Sequence, residues 1–273
     1  MQTKKETIFA LSSGYGKSAT ALIRLSGPKA YQIIKKISSN MPTKPNLSQL
    51  NKIIDGDGEV IDKTLTTFFK SPKSFTGEDM VEISFHGSNA VIKKIIQVLG
   101  TKENVRLANP GEFTRRAFEN NKLDLTQVEA ISDIVNAETE MQRKQAIEHL
   151  SGSFFKSTKK IFYNLKKILA NIEATIDFVD EELPENLLSK IKEQIENNIC
   201  LIEEMLKNSS SGISIREGFS VVILGDPNSG KSSFINYISK KDIAIVTSTP
   251  GTTRDLIESF IDLKGYPVKF IDT

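Results

Sequence analysis

The spacing of apolar positions changes twice along the chain. Up to about residue 118 they come as short runs. "TIFAL" (7–11), "TALIRLSG" (20–27), "LTTFF" (65–69), "MVEISF" (80–85) and "VRLA" (105–108) alternate or run apolar over four to eight residues, which predicts strands. Between them, Ile33, Ile34 and Ile37 recur at helical spacing behind Ser26-Gly27-Pro28, with Ser26 as the expected cap. "NAVIKKIIQVLG" (89–100) reads as an amphipathic helix closed by Gly100. The mixture predicts an α+β domain with "SPKSFTGED" (71–79) as a loop between its middle strands.

From Thr126 the period becomes helical. "TQVE" (126–129) has the form of a capping box. Ile147 and Leu150, then Ile161, Leu165, Ile168, Leu169, Ile172 and Ile176, follow at three- and four-residue steps. A further helix is expected from Pro184, with Leu188, Ile191, Ile195, Ile199, Ile202 and Leu206 on one face. Two or three such helices leave apolar stripes to cover, so the bundle is expected to be incomplete or to pack on another chain. "KNSSSGISIREG" (207–218) reads as a Ser/Gly-rich linker into a third region. There a strand "SVVIL", a loop and a helix "SSFINYI" are followed by a hairpin turning at Lys264-Gly265.

Composition narrows this little. A formal net charge of +2 in 273 residues does not argue for nucleic-acid binding on electrostatics alone. The single cysteine, Cys200, excludes an internal disulfide and fits a reducing compartment, and its helical neighbours predict a buried or half-buried structural thiol. His86 lies far from Cys200, and His149 is the only other histidine, so His86 is also read as structural. The chain shows neither an apolar run of about 18 residues nor a secretory leader, so a cytoplasmic protein without a membrane span is expected.

The densest chemistry is "GDPNSGKS" (225–232), which matches G-x-x-x-x-G-K-[ST] between an apolar strand and a helix. Such a loop turns backbone N–H groups inward around phosphate at a helix N-terminus. Lys231 would reach the terminal phosphates and the Ser232 hydroxyl would ligate Mg²⁺. The polar stretch "TSTPGTTRD" (247–255) sits where a switch loop belongs, with Thr252 or Thr253 able to complete the magnesium shell. Asp272, at the end of the next strand, takes the place of a Walker-B carboxylate. An antiparallel strand beside that one is the arrangement of small GTPases.

Taken together, "SGPKA", "SFTGEDMVEISFHG", "NPGEFTRRAFENNKLDLTQVEAISDIVNAETE", "ATIDFVDEE", "DPNSGKSS" and "IVTSTPGTTRD" resemble the tRNA modification GTPase family called MnmE or TrmE. The resemblance implies a folate-binding N-terminal domain (1–118), the first part of a helical bundle domain (119–215) and the start of a Ras-like P-loop α/β G domain (216–273). It further implies GTP hydrolysis coupled to addition of an aminomethyl-type group to the wobble uridine of tRNA. The one-carbon unit would come from 5-formyltetrahydrofolate or a related reduced folate. A flavoprotein partner, MnmG, and a homodimer formed through the N-terminal domain belong to the same expectation.

Carried over by position, the folate contacts fall on Arg24, Glu82 and Lys122, where a carboxylate can accept from two donors of a pterin edge and cations suit the glutamate tail. The GTP contacts fall on Asn228, Ser229, Gly230, Lys231, Ser232 and Ser233, on Thr247, Ser248, Thr249, Pro250, Gly251, Thr252 and Thr253, and on Asp272 and Thr273. Magnesium falls on Ser232 and Thr253, and potassium on Asn228, Thr247, Thr249 and Thr252. No catalytic acid is assigned. The base-reading Asn-Lys-x-Asp of such GTPases does not occur after Asp272, so these 273 residues alone are expected to be inactive as a GTPase. Two other readings compete: a folate-binding and dimerisation module only, or another P-loop NTPase with a helical arm.

Overall fold

A computed structural model describes residues 6–177, 186–226, 229–241 and 258–272. The chain divides into two compact units, Met1–Leu125 and Thr126–Thr273. The first is an α+β domain; the second carries long helices followed by a small P-loop-type α/β segment.

In the first unit the strands are β1 (Thr7–Leu11), β2 (Ser18–Ser26), β3 (Ser48–Ile54), β4 (Val60–Phe69), β5 (Met80–Gly87) and β6 (Val105–Leu107), with helices α1 (Ala30–Lys36), α2 (Asn89–Gly100) and α3 (Glu112–Glu119). They form one sheet in the order β3-β4-β5-β2-β1-β6. Only the β1–β6 pair is parallel. Alternation along β2 and β5 sends Ile23, Leu25, Ile83 and Phe85 into a core shared with Ile33 and Ile34 of α1 and Ile92, Ile95 and Leu99 of α2. The opposite face carries Arg24 and Glu82. Two elements lay outside the sequence expectation, β3 and α3. In β3 the apolar residues are few and Asn51 is buried, satisfied by Ser39 Oγ, the Asn40 N–H and Thr66 Oγ1. Ser26 does not cap α1; the helix starts behind Lys29, and Ser26 closes β2 with its hydroxyl bonded to Thr76 and Glu78.

In the second unit α4 (Leu125–Val135), α5 (Glu140–Leu150), α6 (Ser153–Asp177) and α7 (Leu187–Glu217) follow in turn. Thr126 lies inside α4, so "TQVE" is not its start. The capping box is at Thr139 and Gln142 of α5, where both reciprocal bonds form. Pro184 lies outside the described residues. The expected linker at 207–218 is helical as far as Glu217. Serine disfavours a helix only slightly, and neighbours hold this turn: Gln145 Nε2 donates to Gly212 O at 3.1 Å and Arg216 Nε pairs with Asp133 at 3.0 Å. Cys200 is exposed, a correction to the expected burial, because α7 turns Ile191 and Asn198 inward instead.

Strand β7 (Phe219–Ile223), helix α8 (Lys231–Lys241) and the hairpin β8 (Glu258–Leu263) with β9 (Tyr266–Asp272) complete the description. The sheet order is β7-β9-β8, with β7 parallel and β8 antiparallel to β9. Among the described residues no helix is long and apolar enough to cross a membrane.

Candidate functional site

Strand register builds the first candidate site. Ser48, Thr67, Glu82, Arg24 and Ala10 are successive partners across β3, β4, β5, β2 and β1, so they form one row on the face away from α1 and α2. Within it Arg24 Nε donates to Glu82 Oε1 at 2.8 Å and Arg24 Nη2 approaches the same oxygen at 2.7 Å. The Arg24 guanidinium also lies 5.3 Å from the Phe75 ring centroid and 5.9 Å from that of Phe113. Phe75 belongs to the 71–79 loop and Phe113 to α3, so an aromatic clamp holds the cation while its partner carboxylate stays about a fifth exposed, at 21%. A paired, half-open carboxylate and guanidinium beside two rings can bind a flat heterocycle carrying donors and an acidic tail.

Lys122 joins this site indirectly. Its Nζ donates to Pro72 O at 3.1 Å, and its stem packs against Gly77. Gly77 has φ +76°, and a Cβ there would stand 3.1 Å from both Asn120 Cβ and Lys122 Cγ, so the loop approaches this closely only with glycine. Asn120 Nδ2 also donates to Thr76 O. The 71–79 loop therefore ties Lys122 to the Arg24–Glu82 pair, although no direct contact joins them among the described residues. Phe75, Phe113 and Thr67 were missed by sequence reasoning. The only signal for the aromatics was their place in the "SFTGED" and "NPGEFTRR" stretches.

Beneath the loop lies an ion network. Arg116 donates to Glu78 at 3.0 Å, to Glu112 at 2.9 Å and to the Glu6 carbonyl at 2.9 Å. Arg106 forks onto Glu112 at 2.8 and 2.7 Å. The bond from Arg106, helped by the Asn109 N–H and Arg116 and opposed by burial, lowers the Glu112 pKa from 4.5 to about 2. A carboxyl depressed in this way stabilises the fold fully above pH 4.5, and that contribution is lost as pH falls through about 2. Urea denaturation across this range should show a steeper loss of stability for the native chain than for Glu112→Gln; parallel profiles would contradict the assignment.

The second candidate site begins where β7 ends. Asp272, expected from the sequence to be a Walker-B carboxylate, is the register partner of Ile223, so its backbone lies beside the end of the strand that precedes the Gly-rich stretch. Gly230 takes φ +94°, the left-handed conformation that favours glycine, and α8 starts at the next residue. Lys231 Nζ folds back onto Gly225 O at 2.7 Å and Asp226 O at 3.2 Å. Those two carbonyls hold the ammonium back against the end of the segment that leaves β7. Ser229, Gly230, Lys231, Ser232 and Ser233 are thus gathered at the loop exit and first turn of α8. Asn228, Thr247, Ser248, Thr249, Pro250, Gly251, Thr252, Thr253 and Thr273 lie outside the described residues.

Elsewhere, His86 Nδ1 bonds the Asp62 carboxylate at 2.9 Å on an exposed strand end, a pairing that anchors β5 to β4. No group of three or more His, Cys, Asp or Glu side chains is arranged for a metal among the described residues.

Comparison with known proteins covers nearly the whole chain. Residues 7–122 match the family model for the "GTP-binding protein TrmE N-terminus", and residues 125–268 that for the "MnmE helical domain". A protein of Neorickettsia sennetsu named tRNA modification GTPase MnmE is 46% identical over 98% of this chain and 48% of its own length. Proteins of the same name from Rickettsia prowazekii and Dinoroseobacter shibae are 42% and 44% identical, again over 98% of this chain, and over 60% and 62% of their own lengths. The chain therefore spans about half to three fifths of the length of these curated relatives.

Proposed function

The chain belongs to the tRNA modification GTPase MnmE family, and from that premise we propose that it contributes the folate- and phosphate-handling portion of a GTP-hydrolysing enzyme that modifies tRNA. The observation that carries the folate half is the Arg24–Glu82 pair clamped by Phe75 and Phe113. Glu82 would accept from the amino and ring N–H donors of a pterin. Arg24 and Lys122 would face its acidic groups, and the rings would cover its plane. Bound 5-formyltetrahydrofolate would supply the one-carbon unit; what these residues do is hold and orient it.

Beyond the folate, the reaction we infer is addition of an aminomethyl-type group to the wobble uridine, with the flavoprotein MnmG as partner. Cytoplasmic location fits such a substrate. The phosphate loop supports GTP as the nucleotide through Lys231 and the start of α8. We place Mg²⁺ on Ser232 and Thr253, and K⁺ on Asn228, Thr247, Thr249 and Thr252, by family resemblance. The division into a folate domain (1–118), a helical domain (119–215) and a G-domain segment (216–273) is part of the same proposal.

A homodimer through the N-terminal domain has its own support. Leu50 and Leu65 are register partners on the same sheet face as the Arg24–Glu82 row, and they are 68% and 50% exposed. A second copy covering that face would remove both from water beside the site. Equilibrium titration of the chain with 5-formyltetrahydrofolate tests the function: saturable binding at micromolar ligand is expected. Absence of binding at high micromolar concentrations would remove the folate reading.

A further inference from the structure

Helix α6 is more basic than the rest of the chain. Lys156, Lys159, Lys160, Lys166 and Lys167 fall between Ser153 and Ile172 with no acidic residue among them, in a protein whose net charge is only +2. All five lysines are exposed, and none pairs with a carboxylate among the described residues.

The helix divides into flanks. Ile168 is buried, and Asn164 Nδ2 donates to Asn198 Oδ1 of α7 at 3.1 Å, which defines the side facing α7. At 3.6 residues per turn, Lys156, Lys160, Tyr163 and Lys167 lie roughly 80–140° around from Ile168 on one flank, over about 16 Å of axis. Leu165 and Leu169 fall on the opposite flank. One exposed ring stands among these lysines, Tyr163 at 56%, whereas Phe162 falls about 120° round on the flank of Leu165 and Leu169. Lys159 Nζ lies 5.7 Å from the centroids of both Phe155 and Tyr163. A lone charge run is ordinarily a solvated face; here an aromatic ring, Tyr163, stands within the run and within reach of Lys159.

We propose that this flank of α6 is an RNA-binding surface, in which Lys156, Lys160 and Lys167 neutralise successive phosphates while Tyr163 stacks on an unpaired base. This deepens the tRNA reading above and rests on it. An anionic lipid surface is the rival partner. On such a surface the rings would lie with the apolar flank, as Phe162 does, whereas Tyr163 stands within the lysine rows, where a base stacked on it would lie beside bound phosphates.

The test uses the whole chain and an unmodified tRNA transcript, with binding followed by fluorescence anisotropy from 50 to about 300 mM KCl. Glutamine resembles lysine in helix propensity, so Lys156→Gln/Lys160→Gln/Lys167→Gln should melt like the native chain. The triple variant should bind at least about tenfold more weakly, and its slope of log affinity against log salt should be shallower by about 2. Tyr163→Ala should lose about fivefold or more with the slope unchanged, because stacking releases no counterions. A native chain that binds the transcript while both variants match it in affinity and slope would overturn the α6 assignment and leave tRNA binding elsewhere. A native chain that ignores the transcript but binds vesicles containing phosphatidylserine would overturn it in favour of lipid. The folate titration judges the folate reading separately, whichever of these results is obtained.

Discussion

Replacing Arg116 with alanine is expected to cost the N-terminal unit about 3–5 kcal/mol, the range for removing one partner of a buried ion pair. Arg116 is 6% exposed and serves three acceptors on three elements: Glu78 of the 71–79 loop, Glu112 of α3 and the carbonyl of Glu6 ahead of β1. Without it, Glu112 keeps Arg106, while Glu78, 11% exposed, loses the 3.0 Å ion pair from Arg116. Arg116→Lys should recover little of the loss, since one ammonium cannot reproduce the planar fork. Urea denaturation of the native chain and both variants measures this. A loss below about 1 kcal/mol, the level of an exposed pair, would show that the network contributes no more than surface charges do. Because Glu78 anchors the loop that carries Phe75, Arg116→Ala should also weaken folate binding.

Glu82→Ala should behave in the opposite way. Roughly a hundredfold loss of 5-formyltetrahydrofolate affinity is expected, as for loss of hydrogen bonds to a charged acceptor worth up to about 3 kcal/mol. The stability change should stay within about 1 kcal/mol, because the Arg24–Glu82 pair is a fifth to a quarter exposed and solvent screens it. Arg24 would keep its place between Phe75 and Phe113, so the sheet face should not rearrange. Calorimetric titration alongside denaturation separates binding from folding. Affinity equal to that of the native chain would retire Glu82 as a ligand contact, whereas a parallel loss of stability would make its role structural.

Local pattern and spacing determined most of the elements. Period-2 runs marked β1, β2, β4 and β5, three- and four-residue steps marked α2, α6 and α7, and the Lys264-Gly265 turn marked the last hairpin. The G-x-x-x-x-G-K-[ST] spacing likewise announced a phosphate loop, because loop, lysine and helix start are contiguous in the chain. Tertiary structure decided what depends on distant partners. The Ser/Gly stretch at 207–218 continues as helix because Gln145 and Arg216 bind it to neighbouring helices, which outweighs a weak local preference. Cys200 is exposed because the packing of α7 on α6 selects Asn198 for the interface rather than the most apolar stripe. The Arg24–Glu82 row and the rings that close on it join segments as much as 89 residues apart, from Arg24 to Phe113. Strand register and the loop above the sheet bring them together, and neither is a property of any short window of sequence.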